Sequence, residues 1–179
     1  MNDILGRYLW KFILVFFDDI LIYSKTWEEH LQHIRQVLAL LQANSVFLKK
    51  SKRSFEQTTV GYLGHIISDQ GVAVDPEKIK AITFWPQPVT VKQLKGFLGL
   101  AGYYRKFIKN YGAIAKPLTD LLKKDNFRWT ELALTSFQQL KQVLSTTPVL
   151  QLPDFNKPFL VECDASFRGF GAVLHQGDQ

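Results

Sequence analysis

Two apolar runs, residues 12–17 and 20–24, flank the adjacent carboxylates Asp18 and Asp19. Short apolar runs separated by a polar break predict two strands joined by a two-residue turn at Asp18-Asp19. The pattern then changes period. Thr26-Trp27-Glu28-Glu29 has the form of a capping box, and Trp27, Leu31, Ile34, Leu38 and Leu41 follow on one face of an amphipathic helix that stops at Asn44. Residues 60–68 read as a glycine-interrupted strand pair, residues 69–71 as a turn and residues 72–74 as a short strand.

From Asp75 onward helical patterns dominate. Asp75-Pro76 predicts an N-cap with proline in the first helical position, and the helix runs to about Phe84, before Pro86 and Pro88. Thr90 to Gln93 predicts a second capped helix, which carries Leu94, Phe97, Leu98 and Ala101. Gly96, Gly99 and Gly102 recur in it at every third position. Each interior glycine costs about 1 kcal/mol relative to alanine, so three suggest a face that something approaches closely, either a neighbouring helix or a ligand. Helices over about 115–124 and 131–145 follow. The three prolines within residues 148–158 mark a linker, and residues 159–164 and 169–175 read as two closing strands. Strands, then helices, then strands describe an α+β chain.

Composition narrows the chemistry. The chain has 179 residues, is 46% hydrophobic and 13% aromatic, and carries a formal net charge of +6. It is therefore expected to be globular, and its basic balance suits a polyanionic partner. One cysteine, Cys163, excludes an intramolecular disulfide and a cysteine-based zinc site. The apolar stretch over residues 9–22 is too short to span a bilayer and is interrupted by Lys11, Asp18 and Asp19, so no membrane association and an intracellular, cytoplasmic or nuclear location are expected.

The aspartate pair is the strongest candidate for chemistry. Two like carboxylates at one turn repel unless water solvates them or a cation lies between them. The segment thus reads as a solvated polar turn or as the tip of a metal-binding hairpin. Lys49, Lys50, Lys52 and Arg53 form a basic run that reads as solvated surface charge or as a phosphate contact.

A series of ordered blocks carries a resemblance that weighs between these readings. Residues 16–24, Phe-Phe-Asp-Asp-Ile-Leu-Ile-Tyr-Ser, closely resemble the catalytic hairpin of reverse transcriptases from gypsy-class long-terminal-repeat retrotransposons. His30-Leu31-Gln32-His33-Ile34 resembles the helix after that hairpin, and residues 62–68, Tyr-Leu-Gly-His-Ile-Ile-Ser, the primer grip. Residues 96–105 and Lys116-Pro117-Leu118-Thr119 are similar to the family's thumb helices. Cys163-Asp164-Ala165-Ser166 with residues 169–174 resembles the opening of the tethered RNase H domain.

The resemblance implies a two-metal polymerase that uses Mg2+ and a template–primer duplex of RNA and DNA. Two ions about 4 Å apart would hold the attacking hydroxyl and the leaving pyrophosphate. Asp18 matches the metal-ligating aspartate and Asp19 its weaker neighbour. Lys52, with Lys50 as second choice, matches a general acid to pyrophosphate; Arg53 stands where many relatives carry cysteine. Tyr62, Leu63, Gly64 and His65 would form the primer grip. Lys92, Lys95 and Arg105 would reach phosphates while Gly96 and Gly99 lie against the minor groove. Asp164 matches the first metal-binding aspartate of RNase H.

The implied organisation is the C-terminal part of a palm over residues 1–75, thumb and connection helices over 76–147, a linker over 148–158, and the start of an RNase H domain over 159–179. Each active site holds only part of the family's carboxylate set, so weak Mg2+ binding and no activity of this chain alone are expected. The alternative is a domesticated, non-enzymatic module that binds nucleic acid or a host protein through its thumb helices and unpaired strand edges.

Overall fold

A computed structural model describes residues 1–49, 51, 53–55, 57–150, 152–167 and 169–176. The chain forms two compact units, the second beginning at Ile67. The described elements mix helices with small sheets, in agreement with the α+β expectation.

The first unit opens with a short helix, α1 (Asn2–Leu5), and a single 3-10 turn at Gly6–Tyr8. Strands β1 (Ile13–Phe16) and β2 (Asp19–Ile22) pair antiparallel, and α2 (Trp27–Ala43) covers them. Ile13 stands opposite Ile22 and Val15 opposite Ile20. These four side chains line the face that meets Leu5, Phe12, Val37 and Leu41 in a small core. The ladder ends at Phe16 opposite Asp19. The two-residue turn is therefore Phe17-Asp18, one position earlier than the expected Asp18-Asp19. Phe17 takes φ 51°, and Asp19 becomes the first residue of a strand.

Thr26 caps α2 by accepting a hydrogen bond from the Glu29 amide at 3.2 Å, as the Thr-x-x-Glu pattern predicts. The buried stripe is rotated from the expected one. Val37 and Leu41 are its deepest members, while Trp27 stays half exposed. The helix axis sits over the hairpin, so positions 37 and 41 face it.

Strands β3 (Val60–Tyr62) and β4 (His65–Ser68) are joined by Leu63-Gly64, with φ of 50° and 73°. Positive φ at both central residues is the pattern of a type I′ turn, which matches strand twist. The next strand, β5 (Gly71–Val74), belongs to the second unit.

The second unit is built on helices α3 (Pro76–Thr83), α4 (Val91–Tyr103), α5 (Tyr111–Asp120) and α6 (Glu131–Ser145). The side chains of Asp75, Thr90 and Thr130 cap α3, α4 and α6, each accepting a backbone N–H at 2.9–3.2 Å. Phe97 and Phe137 meet at the centre, ring centroids 4.6 Å apart, with Trp85 and Trp129 at the edges. The loop between α3 and α4 is pinned from α6 and its entry: Trp129 Nε1 donates to the Pro88 carbonyl at 2.8 Å, and Lys141 Nζ to the Trp85 carbonyl at 2.9 Å.

Two expectations change here. Helix α5 runs four residues earlier than the expected 115–124. Asn110 adopts a left-handed conformation (φ 59°) just before it, which asparagine tolerates. Asn126 Nδ2 then takes up the Asp120 carbonyl at 2.8 Å and closes the helix. The proline-marked segment after α6 is also more than a tether: Leu150 exchanges two 2.8 Å backbone hydrogen bonds with Val72 at the edge of β5. Strands β6 (Leu160–Ser166) and β7 (Gly169–His175) form the closing antiparallel hairpin.

Candidate functional site

The tip of the β1–β2 hairpin carries both aspartates, and both are exposed. A bulky residue at positive φ costs free energy, so the strain at Phe17 is held by the surrounding structure. Trp10 (φ 65°), Phe17 and Leu63 are the aromatic or large aliphatic residues at positive φ among those described, and all lie in the first unit. Such strain gathers at sites rather than in scaffolds, and no sequence pattern announced it.

The two hairpins of the first unit meet. Asp18, Asp19, Arg53, Tyr62 and Leu63 line one groove of about 270 Å³. The Tyr62 hydroxyl lies 3.5 Å from the Asp19 carbonyl oxygen, at the long limit for a hydrogen bond. Partial burial raises the Tyr62 pKa above its ordinary value, and the Asp19 charge raises it further. The hydroxyl therefore stays a donor at neutral pH. The His65 ring donates from Nδ1 to the Leu63 carbonyl at 3.0 Å, which steadies the turn and fixes that tautomer. On the other side of the tip, Asp18, Phe16, Phe17 and Asp3 border a wider cleft of about 580 Å³.

Thus four of the expected residues, Asp18, Asp19, Tyr62 and Leu63, come together in one groove, with Gly64 and His65 at the adjoining turn. Lys50 and Lys52 lie outside the described residues, and Arg53 is the basic side chain seen in the groove. Carboxylate oxygens are the donors that hard divalent cations take. The groove supplies two carboxylates, Asp18 and Asp19, and among the described residues no set of three His, Cys, Asp or Glu side chains stands close enough to hold a metal. The donors thus fit such an ion in kind and fill only part of its coordination.

In the second unit, Lys92, Lys95, Gly96 and Gly99 are exposed on α4, and Arg105 is exposed in the 3-10 turn that follows it. The three helix glycines divide by cause. A Cβ at Gly102 would sit 3.3 Å from the Tyr111 hydroxyl, so internal packing accounts for it. A Cβ at Gly99 would meet nothing within 4 Å, and one at Gly96 only an ordinary 3.7 Å contact with Trp85. Asp164 is exposed on β6 opposite Gly171. Glu162, two residues before it and so on the same face, lies 3.4 Å from His175 Nε2.

These observations agree with comparisons to known proteins. The reverse transcriptase (RNA-dependent DNA polymerase) family matches residues 1–67, and the RNase H-like domain found in reverse transcriptase matches residues 129–179. The Retrovirus-related Pol polyproteins from the transposons opus and gypsy of Drosophila melanogaster are 39% and 40% identical over 100% and 98% of this chain. The chain spans 19% and 18% of their lengths. A foamy viral protease–reverse transcriptase solved with double-stranded DNA superposes with a TM-score of 0.86 at 26% identity, over 98% of this chain and 31% of that one. Among the described residues, no helix is long and apolar enough to cross a membrane. The chain belongs to the reverse transcriptases of long-terminal-repeat retrotransposons, and it carries part of the polymerase followed by RNase H-like sequence.

Proposed function

We propose that the β1–β2 hairpin supplies metal-binding carboxylates to a template-directed polymerase, and that the second unit grips the template–primer duplex through α4. The observation that carries this reading is the strained tip. Phe17 at φ 51° places two exposed carboxylates side by side over a groove that also holds Tyr62 and Arg53. A chain under no functional demand would place glycine or asparagine there.

Asp18 is the principal ligand of a divalent ion, Mg2+ in the reaction, and Asp19 an auxiliary one. The ion supplies charge neutralisation for the attacking and leaving oxygens. Tyr62, Leu63, Gly64 and His65 hold the primer end beside the tip, with His65 fixing the turn that presents it. Lys52 is the general acid to pyrophosphate. Lys92, Lys95 and Arg105 contact phosphates, and the open surface over Gly99 lets the duplex approach the helix backbone. Foamy viral relatives solved with double-stranded DNA support a duplex as the partner. Asp164 contributes to metal binding in the RNase H-like domain.

Two carboxylates alone bind Mg2+ weakly, because such sites also use substrate phosphates and water. This chain by itself is therefore expected to give no primer extension. Mn2+ relaxation measured by NMR tests the site without requiring turnover. With duplex present, amide signals of residues 17–20 should broaden at low Mn2+ and recover in Asp18→Asn. Broadening spread evenly over the surface, or unchanged in Asp18→Asn, would sink the assignment.

A further inference from the structure

The base of the hairpin holds a polar cluster that the proposed chemistry does not use. Ser24 follows β2, and its hydroxyl lies 2.7 Å from Nδ1 of His33 and 3.2 Å from Nδ1 of His30. Both histidines project from one face of α2, three positions apart. The His33 ring also stacks on Phe12, with centroids 3.7 Å apart and planes within 4°. Phe12 is buried in the small core just before β1, and its carbonyl accepts the Tyr23 amide at 3.0 Å. His33 therefore touches both roots of the hairpin, Phe12 by stacking and Ser24 by hydrogen bonding.

The chemistry of the cluster is restrictive. A serine hydroxyl has one proton to give, and a neutral imidazole Nδ1 is either donor or acceptor. Both contacts are hydrogen bonds when at least one ring carries its proton on Nδ1: the hydroxyl accepts from that ring and either donates to the other or accepts from it as well, whereas two Nε2–H rings would leave one contact unmade. A two-stranded ladder of four residue pairs is marginal by itself. Its tip can be no better placed than its root.

We propose that Ser24, His30 and His33 are positioning residues: a hydrogen-bonded clamp that fixes the root of the aspartate hairpin on α2 and so sets where Asp18 and Asp19 stand. The functional part of this statement rests on the hairpin being the metal-bearing element. The clamp itself is measured independently of that reading.

Two measurements on this chain test it. Imidazole 15N spectra of the wild type should show at least one of the two rings protonated at Nδ1, assigned through His30→Gln and His33→Gln. Two rings both protonated at Nε2 would overturn the clamp. Hydrogen exchange in Ser24→Ala should speed up about tenfold at Tyr23 and across β1–β2, the scale of the two modest hydrogen bonds lost, with α4 and α6 unchanged. Ser24→Thr, which keeps the hydroxyl, should restore slow exchange. Unchanged exchange in Ser24→Ala, or no rescue by threonine, would overturn the proposal. Failure of the Mn2+ experiment with these results intact would count against the polymerase reading alone.

Discussion

Phe16 and Asp19 face each other at the last rung of the β1–β2 ladder, which leaves Phe17 and Asp18 to make the turn. Phe17 is the residue that bears the conformational cost. Its φ of 51° belongs to glycine, and its ring is 79% exposed, so packing returns little. Phe17→Gly should therefore stabilise the hairpin even though glycine loses more entropy on folding. The expected net gain is about 0.5 kcal/mol, a roughly twofold slowing of β1–β2 amide exchange. Phe17→Val, β-branched at the same φ, should accelerate exchange. If glycine and valine move exchange in the same direction, strain at this turn is not what the backbone records.

The placement of that turn shows where sequence reading stops. A turn at Asp18-Asp19 and one at Phe17-Asp18 both keep Ile13, Val15, Ile20 and Ile22 on one face, so the apolar pattern serves either register. What separates them is tertiary: Ile22 opposite Ile13 beneath α2, and Ser24 drawn off the ladder to His30 and His33. The caps at Thr26, Asp75 and Thr90 were legible because a side chain and an amide two or three residues later settle them locally. The end of α5 was not, since Asn126 folds back six residues to close it. In the site, Asp18 and Asp19 were legible from their motif. The strain at Phe17 and Leu63 and the His30–Ser24–His33 cluster depend on backbone angles and on contacts that spacing does not encode.

The indole of Trp129 donates to the carbonyl of buried Pro88 at 2.8 Å and stands edge-on to Phe137. Trp129→Phe keeps an aromatic ring there and removes the donor, so a buried carbonyl loses its partner. The second unit should lose about 1–2 kcal/mol, read as a lower urea midpoint for the helical signal in circular dichroism. Phe137→Ala, which empties the centre of the same cluster, should cost about 3–5 kcal/mol. A Trp129→Phe midpoint equal to the wild type would mean that water satisfies the carbonyl equally well.

Tyr104 is 1% exposed, and burial, followed by the charges of Tyr103 and Asp75, pushes its pKa up to about 12. An unfolded tyrosine ionises near 10. Between these values the unfolded chain has released a proton that the folded chain retains, so stability falls as pH rises. The contribution is complete below pH 10 and lost through pH 12. Thermal melts across that window should show a steep drop that is shallower in Tyr104→Phe. Equal slopes in the two proteins would show that Tyr104 does not control the alkaline transition.

Gly99 gives the duplex proposal its sharpest test, because stability and binding should move in opposite directions. Alanine there meets open space and replaces the poorest ordinary helix former inside α4, so the second unit should gain about 1 kcal/mol. The added Cβ stands on the face assigned to the duplex, and a larger Gly99→Leu obstructs that face further. Duplex affinity should fall in the order glycine, alanine, leucine while the melting temperature of each variant stays at or above the wild type. Lys92→Gln and Lys95→Gln should act differently. Each removes a phosphate contact, so each should weaken binding for every sequence and lower the slope of log affinity against log salt by about 1. Fluorescence anisotropy with a labelled duplex over a salt series measures both effects. Unchanged affinity in Gly99→Leu would remove α4 from the interface, and unchanged salt slopes in the lysine variants would place the phosphates elsewhere.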